Sequence, residues 1–538
     1  MTVLQAPDNT PSVGARIARL CASAALLLLA VILLSLSVLS LFATTDMHID
    51  NPPREGVRYL SDSLPLNLAA LLLSLGLLLP LGRLLRPLPT KGVCAVCLSV
   101  VALLGVIWVH TVQGVPMQDS AIVTRAAYHL SLGDFSQVTN DYFLRCPYQL
   151  GYVLFCEILL RIFPTGGNLM LLQYVNVLCL VAADAALLHC VRLTYGRGRE
   201  NVTKLSALLL TLFLPPILFC TFTYGVIPAL LFSALSMWQF LELRREDGVA
   251  ARIRHLLLCA FFLGVAVCLK KNSIIFLCAI LIIGLLRLVK EKDPLLPLCL
   301  ALCLACSIGL PKAVQWQYEA RTDFAFGKGV PMQAWAAMGT HDSYIAPGWY
   351  ESKYVVRDFY TAGKDTEAMK PLAKQAIDEH IAAFLSDPAY ALSFFSEKIA
   401  SQWNEPTYQG IWLAQVRGRY GDGSGPLGTW VCGAGEGHVT QYLNLLQQLL
   451  LVLASVGAIS LIKGGQISHA LLPTVFLGGF LYHLLFEAKS QYCMIYILLL
   501  LPLSALGAEL LLGKLERSFA AWRQRRTQAA SQENTDEA

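Results

Sequence analysis

Long apolar runs separated by short polar turns fill most of the chain. They occupy residues 20–43, 63–82, 92–111, 168–193, 205–222, 226–241, 256–271, 273–289, 294–311, 441–462, 467–486 and 492–512. A helix needs about 20 apolar residues to cross a bilayer core, so the pattern predicts twelve membrane spans. The first run is too long, and too poorly followed by small residues, for a cleaved signal, and it reads as a retained helix. Several later runs are short and must recruit flanking polar residues or thin the bilayer. One further apolar run, "YQLGYVLFCEILLRIF" at 148–163, differs in kind. Its Gln149, Glu157 and Arg161 stand four or eight residues apart, a polar stripe on one helical face. That pattern predicts a helix lying at a membrane surface, with Glu157 and Arg161 as an i, i+4 pair.

Basic residues orient the spans, because short cytoplasmic loops carry an excess of Lys and Arg. If 148–163 does not cross, every short basic loop falls inside. These loops hold Arg83, Arg86 and Lys91; Arg197, Arg199 and Lys204; Arg244, Arg245, Arg252 and Arg254; and Arg287, Lys290 and Lys292. The tail adds Lys514, Arg517, Arg523, Arg525 and Arg526. A crossing at 148–163 would turn the loops at 194–204, 242–255 and 287–293 outward, against the rule. Both termini are therefore expected in the cytoplasm. The expected organisation is an N-terminal membrane region over 1–311 with an outer loop at 112–167, an extracellular cap over 312–440, three last spans over 441–512, and a cytoplasmic tail from 513. The cap contains a helix-like stretch interrupted at Pro388, followed by the glycine-rich turns of "RGRYGDGSGPLG". The polar end "RTQAASQENTDEA" is expected to be disordered.

Composition agrees with the hydropathy. With 56% hydrophobic and 14% charged residues, and a mean hydropathy of +0.56, the chain is too apolar for a soluble globular class. A net charge of +5 gives no indication of nucleic-acid binding. The sixteen cysteines lie mostly within apolar runs, as Cys179, Cys268, Cys303 and Cys306 do. There they act as small hydrophobes rather than a disulfide framework. Cys94 and Cys97 have a metal-like spacing without histidine partners. Cys146 and Cys432 lie outside the runs and could meet on the outer face.

Polar chemistry gathers at the outer ends of the spans. Asp119 follows the third span in "MQDS". "CLKKNSIIF" sets Lys270, Lys271 and Asn272 in a tight turn, where two ammonium groups suit a lipid phosphate or snorkel to the interface. "LLFEAKSQYCM" brings Glu487, Lys489, Gln491 and Tyr492 into the last outer turn, either as a binding edge or as a self-neutralised Glu487–Lys489 pair. Asp134 after Gly133 reads as a turn residue, and Asp184 and His189 as helix-packing groups.

Together, "MQDS", the "LGDF" turn, "NDYFLRCPYQLGYVLFCEILLRIF", "LKKNSIIF", "FGKGVPMQAWAAMGTHDSYIAPGWY" and "FEAKSQY" resemble the outer loops of the multi-span C-type glycosyltransferases, the GT-C fold. That family includes protein O-mannosyltransferases, aminoarabinose transferases acting on lipid A, and polyprenyl-phosphate-sugar-dependent enzymes of Gram-positive bacteria. The resemblance spans the membrane region through short motifs. It implies an all-α bundle that takes a sugar from a polyprenyl-phosphate donor, among membrane lipids. The acceptor would be a protein, wall polymer or glycolipid at the outer face, with inversion as the simpler outcome. It makes Asp119 the general base, and it assigns Lys270, Lys271 and Arg145 to the donor phosphate. Asp141, Tyr142, Gln149, Asn272, Glu487, Lys489, Gln491 and Tyr492 are its possible substrate-binding residues. Relatives often carry a second acid in the next outer loop, but "FCTFTYGVIPA" around Tyr224 has none. A divalent cation is therefore possible but not favoured, and no metal ligand or cofactor is assigned. Cys146 and Tyr148 stand where a His or Pro is usual. Exposed aromatics such as Trp349, Tyr350, Trp403 and Trp412 could stack on sugars or pack the cap. The rival classes are a transporter or flippase for a lipid-linked or small solute, and a membrane scaffold or sensor. A transporter should line its spans with polar residues through their depth, whereas this chain concentrates them at the outer ends.

Overall fold

The computed structural model describes residues 12–49, 55–196, 198–245, 248–418 and 425–536. Arg197 and the centre of the "RGRYGDGSGPLG" stretch lie outside the described residues. The chain is an all-α polytopic membrane protein. Among the described residues ten helices are long and apolar enough to cross a bilayer, from Val13–Phe42 to Met494–Gln528. The fifth apolar run becomes two helices, Glu200–Leu212 and Pro215–Thr221, bent by 48°. Pro215 and Pro216 explain the bend, since neither offers the N–H that would continue the helix. The sixth run forms the 17-residue helix Val226–Glu242, shorter than a full span. All twelve runs are helical, but proline and length leave two of them as less than one straight crossing.

The run at 148–163 does not cross. Gln173, in the first turn of the Met170–Tyr195 helix, donates to the Gly114 carbonyl at 2.6 Å, just beyond the Thr90–Val112 helix. Residues 113–169 therefore leave the bundle and return at the same end. Within them the helix Leu150–Ile162 turns its polar stripe inward. Gln149 and Glu157 are buried, while Ile158, Ile162 and Phe163 are exposed. The Glu157–Arg161 pair is accordingly more than a surface pair. Glu157 accepts from Arg161 at 3.0 Å, from Arg321 at 2.7 Å and from Tyr318 at 2.6 Å. Those last two residues belong to Leu295–Thr322, a helix that runs well beyond the apolar segment ending at 311.

The polar link between the first two spans is an antiparallel hairpin, Ala43–Ile49 with Glu55–Ser61, which hydropathy alone does not predict. The cap has Met332–Gly339 and Thr366–Ser386 around a small core of its own that includes Val330, Met338, Tyr354, Phe359 and Met369, while its third helix, Pro388–Trp403, joins the main core through Trp403. Asp387 caps the last of these helices by accepting from the Ala389 and Tyr390 amides, with Pro388 in the first turn, where its missing N–H costs nothing. Helix Leu501–Asp536 carries the chain beyond the last span, in keeping with its Ala, Gln, Arg and Glu content. One correction concerns the aromatics. Trp349 and Trp403 are buried rather than exposed: Trp349 donates to Ser401 at 3.0 Å, and Trp403 packs against Phe476 and Phe480.

Candidate active site

The segment 113–149, the turns at 222–224, 270–272 and 486–492, the hairpin and the cap converge on a cavity of about 490 Å³. Asp119 stands in the first turn of helix Gln118–Ser131 and is exposed to that cavity. Its Oδ2 accepts from the Tyr224 hydroxyl at 3.0 Å. Gln149 Nε2 donates to the same hydroxyl at 2.6 Å, and the Tyr142 hydroxyl lies 3.1 Å from it. Tyr224 can occupy this place because Gly225 turns the chain with a φ of 82°. A Cβ at Gly225 would stand 2.7 Å from the Leu269 carbonyl, so the turn admits only glycine without a shift.

Three cations border the same cavity. Lys270 Nζ lies 3.8 Å from the centroid of the Tyr224 ring, and Lys271 Nζ lies 5.1 Å from that of Tyr148. Arg145 stands 6.0 Å from the Tyr142 ring, and its buried Nε has no hydrogen-bond partner. Among the described residues none of the three forms an ion pair with a carboxylate. Burial lowers the Lys270 ammonium to about 8, against the pull of Asp119 and Glu487. The aromatic faces supply partial compensation by cation–π attraction. An anion entering here meets cations whose charge is largely unspent.

The last outer turn is arranged differently from a self-neutralised pair. Lys489 donates to both carboxylate oxygens of Glu55, at 2.7 and 2.9 Å, and so fastens the hairpin to the cavity wall. Burial disfavours the Lys489 charge, but Glu55 and Glu487 outweigh it and the group sits above its ordinary range. Glu487 instead accepts from the Tyr492 hydroxyl at 3.1 Å, and burial pushes its carboxyl up to about 7 despite Lys489. Asn272 and Gln491 complete this side of the cavity.

Not every predicted site residue comes to the cavity. Asp141 is bound by Lys364 at 2.8 Å and by the Tyr360 hydroxyl at 2.7 Å, so it ties the outer loop to the cap. The hydrogen bond from Lys364 holds its carboxyl below the usual range. Cys146 lines this cavity and Cys432 a different one, so they do not meet. Asp134 accepts from the Ser136 amide at 2.8 Å as a turn residue does. Of the four aromatics, Tyr350 and Trp412 reach the cavity. Sequence reasoning missed Glu55, although "DNPPREG" between β-forming residues is a hairpin signal. It also missed Tyr224, noticed only as lacking an acid. Glu55 and Glu487 bring two further acids to the cavity wall. With Asp119 they are the carboxylates that could face a cation, but among the described residues the three do not converge on one point. The ligand group that does converge is Cys259, Cys299 and Cys303, inside the bundle.

No family model matches the chain, and no curated protein matches it. Among solved structures it is similar to the archaeal oligosaccharyltransferase AglB from Archaeoglobus fulgidus, in complex with an inhibitory peptide and a dolichol-phosphate. The TM-score is 0.45 at 14% identity, covering 80% of this chain and 52% of that one. The chain thus spans about half the length of that structure.

Proposed function

We propose that this chain is a membrane glycosyltransferase that moves a sugar from a polyprenyl-phosphate donor to an acceptor hydroxyl at the outer face. The observation that carries the reading is the Lys270–Tyr224–Asp119 stack. One ring has a cation on its face and a carboxylate on its hydroxyl, in a cavity with two further cations that have no carboxylate partner among the described residues. Asp119 takes the acceptor's proton as its oxygen bonds to the anomeric carbon. The bond from that carbon to the carrier phosphate breaks, and its electron pair leaves on the phosphate oxygen. Lys270, Lys271 and Arg145 meet that charge, as oriented cations do at a developing anion. One displacement from the face opposite the leaving group inverts the anomeric centre. Tyr224 and Gln149 fix the direction of the Asp119 carboxylate.

The test is release of polyprenyl phosphate from a synthetic polyprenyl-phosphate-sugar by the purified protein, with Asp119→Asn beside the parent. A general base contributes about 10²- to 10⁴-fold, and a loss in that range is expected. Solute movement without turnover would instead favour a transporter.

A further inference from the structure

A second charged cavity, of about 580 Å³, lies at the opposite end of the bundle. Lys271 and Arg287 sit on one helix, roughly 24 Å apart at the α-helical rise, and they mark the two cavities. Between them the core is closed by fully buried side chains such as Leu263, Phe276 and Ile280. The second cavity is therefore a separate site and not the far mouth of a channel.

Its charged lining is Arg244, Arg245, Arg287 and Lys290, against a single described acid, Glu291. Glu291 lies 3.3 Å from Arg244 and 3.5 Å from Arg287, so one carboxylate is shared between two guanidinium groups. Arg245 spends one nitrogen on the Leu193 carbonyl at 2.6 Å. Arg287 is only 5% exposed, and its Nη1 reaches the Phe240 carbonyl at 3.3 Å. Its Nη2 is buried with no hydrogen-bond partner. A buried guanidinium with an unmade bond is costly unless something else fills it. Apolar side chains complete the lining, Phe240, Leu241, Ile283, Ile467 and Leu471, with the Phe240 ring centroid 5.0 Å from the Arg287 guanidinium. The positive-inside tendency places arginines in exposed loops; it does not account for one that is buried with an unused donor.

We infer that this cavity binds a phosphate-bearing anion, with the phosphate on Arg287, Arg244 and Lys290. The apolar lining favours the head group of an anionic phospholipid over a free phosphate, because the glycerol and first acyl carbons would cover it. The lipid would brace the ends of Val226–Glu242 and Lys271–Glu291 against the segment at 466–471.

The full chain, delipidated and returned to nanodiscs of phosphatidylcholine with phosphatidylglycerol, is assayed by native mass spectrometry for retained lipid. The parent is expected to keep phosphatidylglycerol in preference to phosphatidylcholine. The R244Q/K290Q variant, changed only at exposed positions, is expected to lose that preference by about tenfold, as two charge-assisted contacts disappear. Glu291→Gln, which removes the competing carboxylate, is expected to strengthen retention, a gain that misfolding cannot imitate. A parallel titration with inorganic phosphate in detergent separates the sources: binding there that is lost in R244Q/K290Q supports the phosphate site with a soluble ligand. Equal retention by parent and R244Q/K290Q, or weaker retention by Glu291→Gln, would overturn the proposal.

Discussion

Lys270 is the residue on which the donor's affinity should turn. Burial depresses its ammonium to about 8, so the cation is present below that pH and is lost as pH rises through it. Donor binding is therefore expected to weaken above about pH 8, seen as a rising KM for the polyprenyl-phosphate-sugar. Lys270→Arg keeps the charge at all accessible pH and should remove that alkaline limb, while Lys270→Gln should raise KM about tenfold below about pH 8 and converge with the parent above it. A KM profile that is flat in the parent would contradict this role. Lys270, Lys271 and Asp119 were readable in the sequence because charged residues at span ends are rare and stand out. The stacking of Lys270 on Tyr224 was not readable, because it depends on the turn at Gly225. Asp141 reads along the chain as a possible substrate-binding residue, and its contact with the cap's Lys364 depends on a fold that the sequence pattern does not display.

At the scale of elements, the link between the cap and the last outer turn is polar and buried. Glu405 accepts from the Thr407 amide at 2.8 Å, the Gln409 amide at 2.6 Å and the Ser490 hydroxyl at 2.8 Å. It holds Tyr408 and Gln409 at φ of 51° and 60°, a left-handed pair of the kind that side chains rarely adopt. Glu405→Ala leaves those donors unpaired and is expected to cost about 3 kcal/mol or more, since each buried orphan costs about 1–3 kcal/mol. Thermal unfolding in detergent should show the loss, and an unchanged transition would contradict it. Buried Lys398 adds a second tie, donating to the Phe486 carbonyl at 2.9 Å and to the Gly339 carbonyl. Helices were the most legible elements, because apolar runs near span length leave few alternatives. The hairpin was not legible by hydropathy, since its strands are short, mixed in polarity and stabilised by distant partners such as Asn404 and Lys489.

At the scale of the whole molecule, one end of the bundle gathers the cap, the hairpin and the 490 Å³ cavity, and the other gathers the basic loops. We propose that the basic end faces the cytoplasm, in line with the positive-inside rule. An epitope inserted at the exposed Gly363 turn should therefore be reached by antibody in intact spheroplasts, and a C-terminal one only after permeabilisation. The reverse pattern would invert the topology and move the proposed reaction to the wrong face. The central claim concerns Asp119, and turnover of a polyprenyl-phosphate-sugar by parent and Asp119→Asn tests it most directly. The account predicts release of polyprenyl phosphate by the parent and a loss of about 100-fold or more in Asp119→Asn, with the thermal transition retained. Equal turnover by the two proteins would contradict it.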